Sequence, residues 1–362
     1  MTPLRYLLVA THVPASGAGG GMVRYTMEMA RGLAARDDVE LHVLAAPGAD
    51  PAFAELVEPG RVHTLPGRGP AASAVEWLAG ARGDRAGMDV VHGTKQILPR
   101  GLPGTGVLTV HDMLALDRPW DFGTAKRWLL RTPYLASLRQ ADVLLCVSEA
   151  TRARLTSYLP SVAERIQVVP HPDASPLTGA PAQPVPELAG RTFALVVGDP
   201  SPRKNVGLVV DAWEQVHAQD PDAVLAVVGP DSWGPTDRGQ AFARLVDAGA
   251  VAALGHVPDP QLRWLYENAR VVLCPSLAEG FGLPAAEALA VGATVLTSED
   301  PALAEASAGR AERLPARRPE VWAEAVLRHL GAPPAPRTPP EPRRTWADVV
   351  DESLEAVRGA RR

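Results

Sequence analysis

The chain has 362 residues, 46% hydrophobic and 21% charged, the profile of a soluble globular protein, and at about 150 residues per domain it divides into two or three domains. Its 36 prolines and 32 glycines are spread between apolar segments, which excludes a fibrous or wholly disordered chain, and a net charge of −5 gives no general pull toward nucleic acid. Two cysteines, Cys146 and Cys274, each within an apolar run, cannot make a disulfide framework or a closed zinc site and read as buried thiols.

In chain order, the first apolar run, Tyr6–Ala10, falls short of the about seven residues that a signal-peptide core needs. No run approaches the roughly 18 apolar residues of a membrane span, so a cytoplasmic protein, peripheral to the inner face of the membrane at most, is expected. A glycine loop leads into Met22–Ala35, where Met22, Tyr25, Met29 and Leu33 recur at helical spacing. Leu41–Ala45, Val90–Val91, Val107–Val110 and Val143–Val147 follow as short strands. Between the last two, Lys126–Arg139 is basic, aromatic and amphipathic. It reads as a domain helix with its apolar side inward, or as a helix resting on an anionic membrane, and Pro133 interrupts its pattern. His171–Leu188 lacks periodicity and reads as a linker. The second half resumes with Phe193–Val197, helical Val206–His217, Val224–Val228, Val251–Leu254, Val271–Cys274 and Thr294–Leu296. A Pro-rich leash, Gly331–Pro342, precedes a last helical pattern, Thr345–Val357. The domains expected are 1–170 and 189–330, with a linker at 171–188 and a leash and terminal helix at 331–362.

Strand–helix alternation of this kind predicts an α/β protein with parallel sheets and helices on both faces. One internal echo, Ala141–Ser148 against Ala269–Ser276, suits two similarly built halves. Ligands of such sheets bind at the carboxyl ends of the strands, so two joined sheets are expected to face one another across a shared cleft.

The residues just after the strands therefore carry the functional argument. After Val271–Cys274 comes Pro275-Ser-Leu-Ala-Glu279-Gly-Phe-Gly-Leu-Pro284, then Glu287 and Gly292. Pro284 suits a first helical turn and Gly292 a helix end. The N–H groups of Phe281, Gly282 and Leu283 would head that helix, where anions and hydroxyl-rich ligands are held. Gly280 and Gly282 flank Phe281 as though a backbone approached closely. Glu279 and Glu287 would meet different parts of one extended ligand; alternatively Glu279 caps the helix and Glu287 is solvated. Arg203 and Lys204 follow a strand in the same half and are the fixed cations that a diphosphate needs, or else a surface pair. His111 follows Val107–Val110 at a strand end, a position more often structural than catalytic, and His92 after Asp89–Val91 is a possible acceptor-side lining. Gly17-x-Gly19-x-Gly21 has the wrong spacing for a dinucleotide fingerprint, so Gly20 and Gly21 read as a loop wall beside a phosphate, with Arg24 a candidate anion contact. No histidine spacing assembles a metal site.

Ser276–Gly292 resembles the Glu-x7-Glu signature of the retaining glycosyltransferases of family 4, which have the GT-B fold. Gly198–Asn205, with Arg203-Lys204-Asn205, resembles that family's second signature, and Leu254–Val257, Val110–Asp112, Gly20–Tyr25 and Thr345-Trp346 match further segments in order. The resemblance implies two Rossmann-like domains: an acceptor-binding one at the N-terminus, and a nucleotide-sugar-binding one whose closing helix crosses back onto the first. It implies transfer of a hexose, with GDP-mannose expected as donor, to a glycan, lipid-linked or natural-product acceptor. Neither metal nor cofactor is implied beyond the nucleotide sugar, nor any nucleic acid, and membrane contact would be weak. His111 and Glu279 are then the catalytic candidates. Gly20, Gly21, Arg203, Lys204, Glu279, Gly280, Phe281, Gly282, Leu283 and Glu287 are the donor-binding candidates, with Arg203 and Lys204 on the diphosphate and Glu287 on the ribose. A sugar-nucleotide epimerase or phosphorylase of the same fold, or a non-catalytic carbohydrate-binding relative, is the alternative. Asp199 stands where some members place an arginine, and Pro170-His171-Pro172 replaces a frequent Asn-Gly turn.

Overall fold

A computed structural model describes residues 2–58, 60–65, 75–78, 85, 87–121, 124–172, 177, 181–229, 238–333, 337–341 and 344–361, without the side chains of 124–130 and 238. The chain forms two compact units, the first made of 1–171 with 344–362 and the second of 172–343.

In the first unit, strands β1 (Leu4–Ala10), β2 (Val39–Ala45), β3 (Val62–Thr64), β4 (Val90–Gly93), β5 (Thr105–Val110), β6 (Val143–Cys146) and β7 (Ile166–Val168) form a seven-stranded sheet of order 3-2-1-4-5-6-7. In the second, β8 (Phe193–Val197), β9 (Val224–Val228), β10 (Val251–Gly255), β11 (Val271–Cys274), β12 (Val295–Thr297) and β13 (Glu312–Arg313) form a six-stranded sheet of order 10-9-8-11-12-13. Every pairing is parallel. Renumbered within each unit, the first six strands follow the same doubly wound order, which reverses between β1 and β4 in unit 1 and between β8 and β11 in unit 2.

The apolar runs lack polar alternation because both faces of each sheet are covered. On β1, Tyr6, Leu8 and Ala10 enter one core layer, while Leu7 and Val9 enter the other. On β8, Ala194 and Val196 face one layer, Phe193 and Leu195 the opposite one.

Several expectations need correction. The echo pairs strands that are not equivalent: β6 is the sixth strand of its unit, whereas β11 occupies the place that β4 holds in unit 1. Its two serines differ too, since Ser148 caps the helix Glu149–Tyr158 through the Thr151 N–H (2.9 Å), and Ser276 does not cap. Within the presumed linker, Leu177, Val185 and Leu188 are buried against β8, β9 and the helix Asp259–Asn268, so apolar anchors fasten it to unit 2; residues 173–176 and 178–180 lie outside the described residues. Pro133 does not break its segment, because one helix runs Thr124–Gln140 through it. Its described part turns Tyr134 and Leu138 into the core, and the Tyr134 hydroxyl donates to the Asp112 carbonyl (2.7 Å). The basic stretch Lys126–Leu130 falls where side chains are not described.

The helix Trp346–Ala360 starts with a capping box between Thr345 and Asp348 and buries Val349, Val350, Leu354 and Val357 in the core of unit 1. No helix among the described residues is long and apolar enough to cross a membrane.

Candidate active site

In unit 2 the candidate residues gather where the strand order reverses. β8 runs into Gly198 and then a short 3-10 turn, Pro202–Lys204, which carries Arg203 and Lys204 outward past the strand end. Asn205 closes that turn in the left-handed region (φ 53°), and its amide donates to the carbonyls of Pro275 (3.1 Å) and Ala316 (2.8 Å). The Leu277 N–H donates to the Arg203 carbonyl (2.7 Å), which ties the loops after β8 and β11 together.

Glu279, three residues beyond Ser276 on the β11 loop, is the meeting point. Lys204 Nζ donates to its Oε1 (2.5 Å), Arg203 Nη1 to its Oε2 (3.0 Å), and Ser276 Oγ to its Oε1 (2.7 Å). Its side chain is 9% exposed and that of Lys204 11%, so this is not the surface pair that the sequence left open. Burial alone would raise the Glu279 pKa, but Lys204 and Arg203 outweigh it and hold the carboxylate below its ordinary range. Arg203 also pairs with Asp199 (3.2 Å), so the aspartate that replaces an expected cation orients the neighbouring one. Lys204, Ser276, Glu279, Gly282 and Pro284 line one small hollow that opens to solvent, with Cys274 also in its wall. Burial pushes that thiol up to about 12, so it stays protonated.

The helix Leu283–Ala290 begins at Gly282, whose φ of +105° suits glycine and whose added Cβ would lie 2.6 Å from Leu303. No side chain caps this helix, which removes the capping role for Glu279. Glu287 is not solvated: it is buried, and the Tyr266 hydroxyl donates to its Oε2 (3.1 Å). Gly280 and Phe281 are buried between them. The structure thus brings Arg203, Lys204 and Glu279 into direct contact and sets Glu287 one helical turn further in. Close by, an added Cβ on Gly229 would lie 2.0 Å from the Gly198 carbonyl oxygen, so the loops after β8 and β9 are as near as glycine allows.

Sequence reasoning missed Asp300. Its Oδ1 caps the helix Pro301–Ser307, and its Oδ2 accepts from the Glu279 N–H (3.4 Å). Burial, together with the Glu279 charge, raises its pKa. An Asp-Pro pair after a strand signals a helix start, but not this second bond.

In unit 1, Gly20 and Gly21 sit at the exposed start of the helix Gly21–Ala34, with Arg24 in its first turn. His111 leaves β5, its Nε2 3.0 Å from the Thr94 carbonyl and its ring edge-on to Tyr25 at 4.9 Å. Burial pushes it down to about 4, so it is neutral at pH 7. His92 is not a lining residue. It lies fully buried inside the sheet, with Nδ1 2.8 Å from the Tyr6 hydroxyl and Nε2 2.7 Å from Thr109 Oγ1. Among the described residues, no three His, Cys, Asp or Glu side chains converge as a metal site.

With this geometry in hand, comparison with known proteins is informative. A family model described as Glycosyltransferase Family 4 matches residues 19–172, and one described as Glycosyl transferases group 1 matches residues 191–331. The chain is 30% identical over 223 residues to O-antigen chain mannosyltransferase B of Escherichia coli, covering 60% of this chain and 58% of that one. It is 30% identical over 247 residues to the MMP alpha-(1->4)-mannosyltransferase of Mycolicibacterium hassiacum, covering 63% and 57%. The match therefore spans less than two thirds of either relative's length. Among solved structures, WaaG, a glycosyltransferase involved in lipopolysaccharide biosynthesis, superposes with a TM-score of 0.67 at 18% identity, over 99% of this chain and 95% of that one. Anabaena HepE, solved with UDP and glucose, gives 0.67 at 16% identity, over 99% and 97%. At such identities these structures speak for the fold alone, which is GT-B. Two family models that succeed one another along the chain, one over most of each doubly wound unit, lead to one conclusion: the chain belongs to the group 1, family 4 glycosyltransferases.

Proposed function

We propose that the protein is a retaining hexosyltransferase that takes mannose from GDP-mannose and passes it to a hydroxyl of a glycan, lipid-linked or natural-product acceptor. The observation that carries this reading is the convergence of Arg203 and Lys204 on Glu279 at the switch point of unit 2, with Lys204 and Glu279 lining a hollow there. Mannose is favoured because two relatives at 30% identity are named as mannosyltransferases.

Arg203 and Lys204 hold the donor diphosphate. Glu279 turns from them toward the sugar hydroxyls, which the backbone around Phe281–Leu283 also meets. Glu287, oriented by the Tyr266 hydroxyl, holds the ribose. The bond from the sugar C1 to the phosphate oxygen breaks, and its electron pair stays on the diphosphate. An acceptor hydroxyl forms the new bond on the same face, and its proton passes to the departing phosphate oxygen. The two fixed cations stabilise the charge that develops there, which is the work a metal ion does in other transferases. In unit 1, neutral His111 offers Nδ1 to a sugar hydroxyl while the Thr94 carbonyl fixes Nε2.

The test pairs a thermal-shift screen with an assay. GDP is expected to raise the melting temperature more than UDP or dTDP. GDP-mannose with an acceptor should give a product whose anomeric proton keeps the donor configuration. Sugar-nucleotide interconversion without acceptor would make the protein an epimerase, and no shift with any nucleotide would overturn the reading.

A further inference from the structure

Two helices of unit 2 bring Tyr266 to Glu287: Asp259–Asn268 carries the phenol and Leu283–Ala290 the carboxylate. Leu262, Leu265 and Tyr266 of the first share a core layer with Ala285, Ala288 and Leu289 of the second. Burial of these side chains is non-directional, but the hydrogen bond is not. The Tyr266 hydroxyl stands 3.1 Å from Glu287 Oε2. A slip of about half an ångström along that line would take the pair out of hydrogen-bond reach.

The Pro-rich leash meets both helices at their carboxyl ends. The Arg337 guanidinium donates from Nη1 to the Tyr266 carbonyl and from Nη2 to the Ala269 carbonyl. The residue whose hydroxyl reaches Glu287 is therefore gripped by its own backbone. Thr338 and Pro339 follow, and they lie against Gly292, two residues beyond the helix of Glu287. Gly292 is in the left-handed region (φ +75°), and an added Cβ would come 3.1 Å from the Thr338 carbonyl carbon and 3.2 Å from the Pro339 nitrogen. Three consecutive residues thus brace the ends of both helices. Burial lowers the Arg337 pKa, against the charge of Glu267 and together with that of Arg270. A guanidinium stays protonated regardless, and two carbonyls at the negative end of a helix are what it gains. Its planar fork spans both acceptors at once, which an ammonium does not.

We propose that Arg337 is a positioning residue for the nucleotide site: through the Tyr266 backbone it keeps the Tyr266 hydroxyl on Glu287, and so fixes the carboxylate that receives the donor ribose. This rests on the donor reading of Glu287 and gives the leash a part in nucleotide affinity. Arg337 touches no ligand itself. Its influence falls on the ribose end of the nucleotide, while Arg203 and Lys204 keep the diphosphate end.

Calorimetry on the full chain separates the two ends, with inorganic pyrophosphate and with whichever of GDP, UDP and dTDP binds most tightly. Arg337→Ala and Tyr266→Phe should each weaken the nucleotide about fivefold, the effect of one hydrogen bond, and leave pyrophosphate, which has no ribose, within about twofold. The double variant should lose no more than either single one, because both changes break the same path, whereas independent effects would multiply to about 25-fold. Arg337→Lys keeps the charge and the stem but not the fork; it should match Arg337→Ala, and it decides if that variant does not fold. Unchanged nucleotide affinity, multiplying losses, or an equal loss of pyrophosphate would overturn the proposal. Amide exchange without ligand is read beside these titrations. Arg337→Ala should speed exchange over 262–269 and 283–292 and leave the strand Phe193–Val197 as it is. A wild type that binds no nucleotide would sink the donor reading, and exchange alone would then decide the role of the leash: no change in either helix would overturn it.

Discussion

Glu279 carries a charge that two cations compete to hold, and that competition sets what its replacement does. In Glu279→Gln the carboxylate between Lys204 and Arg203 is gone, so both cations turn fully toward an incoming diphosphate. GDP should then bind at least as tightly as to the wild type, while transfer falls by about two orders of magnitude through lost sugar contacts. Calorimetry with GDP beside a steady-state assay checks the split, and parallel losses in both would contradict it. Lys204→Ala acts in the other sense. It strips one cation from the phosphate and leaves a buried carboxylate with Arg203 and Ser276 only. GDP affinity should fall more than about tenfold, and stability by about 1–3 kcal/mol from the weakened buried pair, read from a chemical melt. These residues were legible in the sequence because charge stood immediately after apolar strands. Asp300 was not, since an Asp-Pro pair after a strand signals a helix start and gives no sign of the second bond that its carboxylate accepts from the Glu279 N–H.

At the scale of elements, strands long enough to show an apolar run could be read directly, whereas the edge strands Val62–Thr64, Ile166–Val168 and Glu312–Arg313 are too short to register a period. Nor could the sequence show how many histidines end up within the sheet of unit 1 and at its carboxyl edge. Burial pushes His92 and His171 down to about 3 and His12 and His111 to about 4, against an ordinary value of 6.5. An unfolded chain takes up those protons first, so the stability they leave intact above pH 6.5 drains as pH falls toward 4. At pH 5 each contributes a loss of about 2 kcal/mol, as an order of magnitude. Glu76, which burial raises from 4.5 to about 7, works in the opposite direction, since its folded form binds the extra proton between those values. Four groups outweigh one. The melting temperature is therefore expected to drop steeply between pH 7 and pH 5, followed by circular dichroism, and a flat profile would show that these imidazoles are not neutral in the fold.

For the molecule as a whole, the two units repeat one winding but differ in how the chain supplies them. Unit 2 is one continuous stretch, 172–343, with its own core layers on both faces of its sheet. Even its entry and exit segments are fastened to it: Leu177, Val185 and Leu188 pack into the core, and the Arg337 guanidinium donates to the carbonyls of Tyr266 and Ala269. Unit 1 is interrupted, and its terminal helix brings Val349, Val350, Leu354 and Val357 back to the layer that holds Tyr25, Met29 and Leu33. Arg36–Asp351, Arg358–Asp38 and Arg361–Asp89 ion pairs rim that contact. Exposed pairs of this kind add at most about 1 kcal/mol each, whereas each buried valine or leucine is worth roughly 1.5–3 kcal/mol, so packing decides the outcome. The separate fragments should then behave unequally. Residues 172–343 are expected to fold alone and to be stabilised by GDP in a thermal melt. Residues 1–171 should be molten by near-ultraviolet circular dichroism until a peptide of residues 344–362 is added, and then regain their tertiary signal. Cooperative folding of 1–171 without the peptide would mean that the closing helix decorates the unit and does not complete its core.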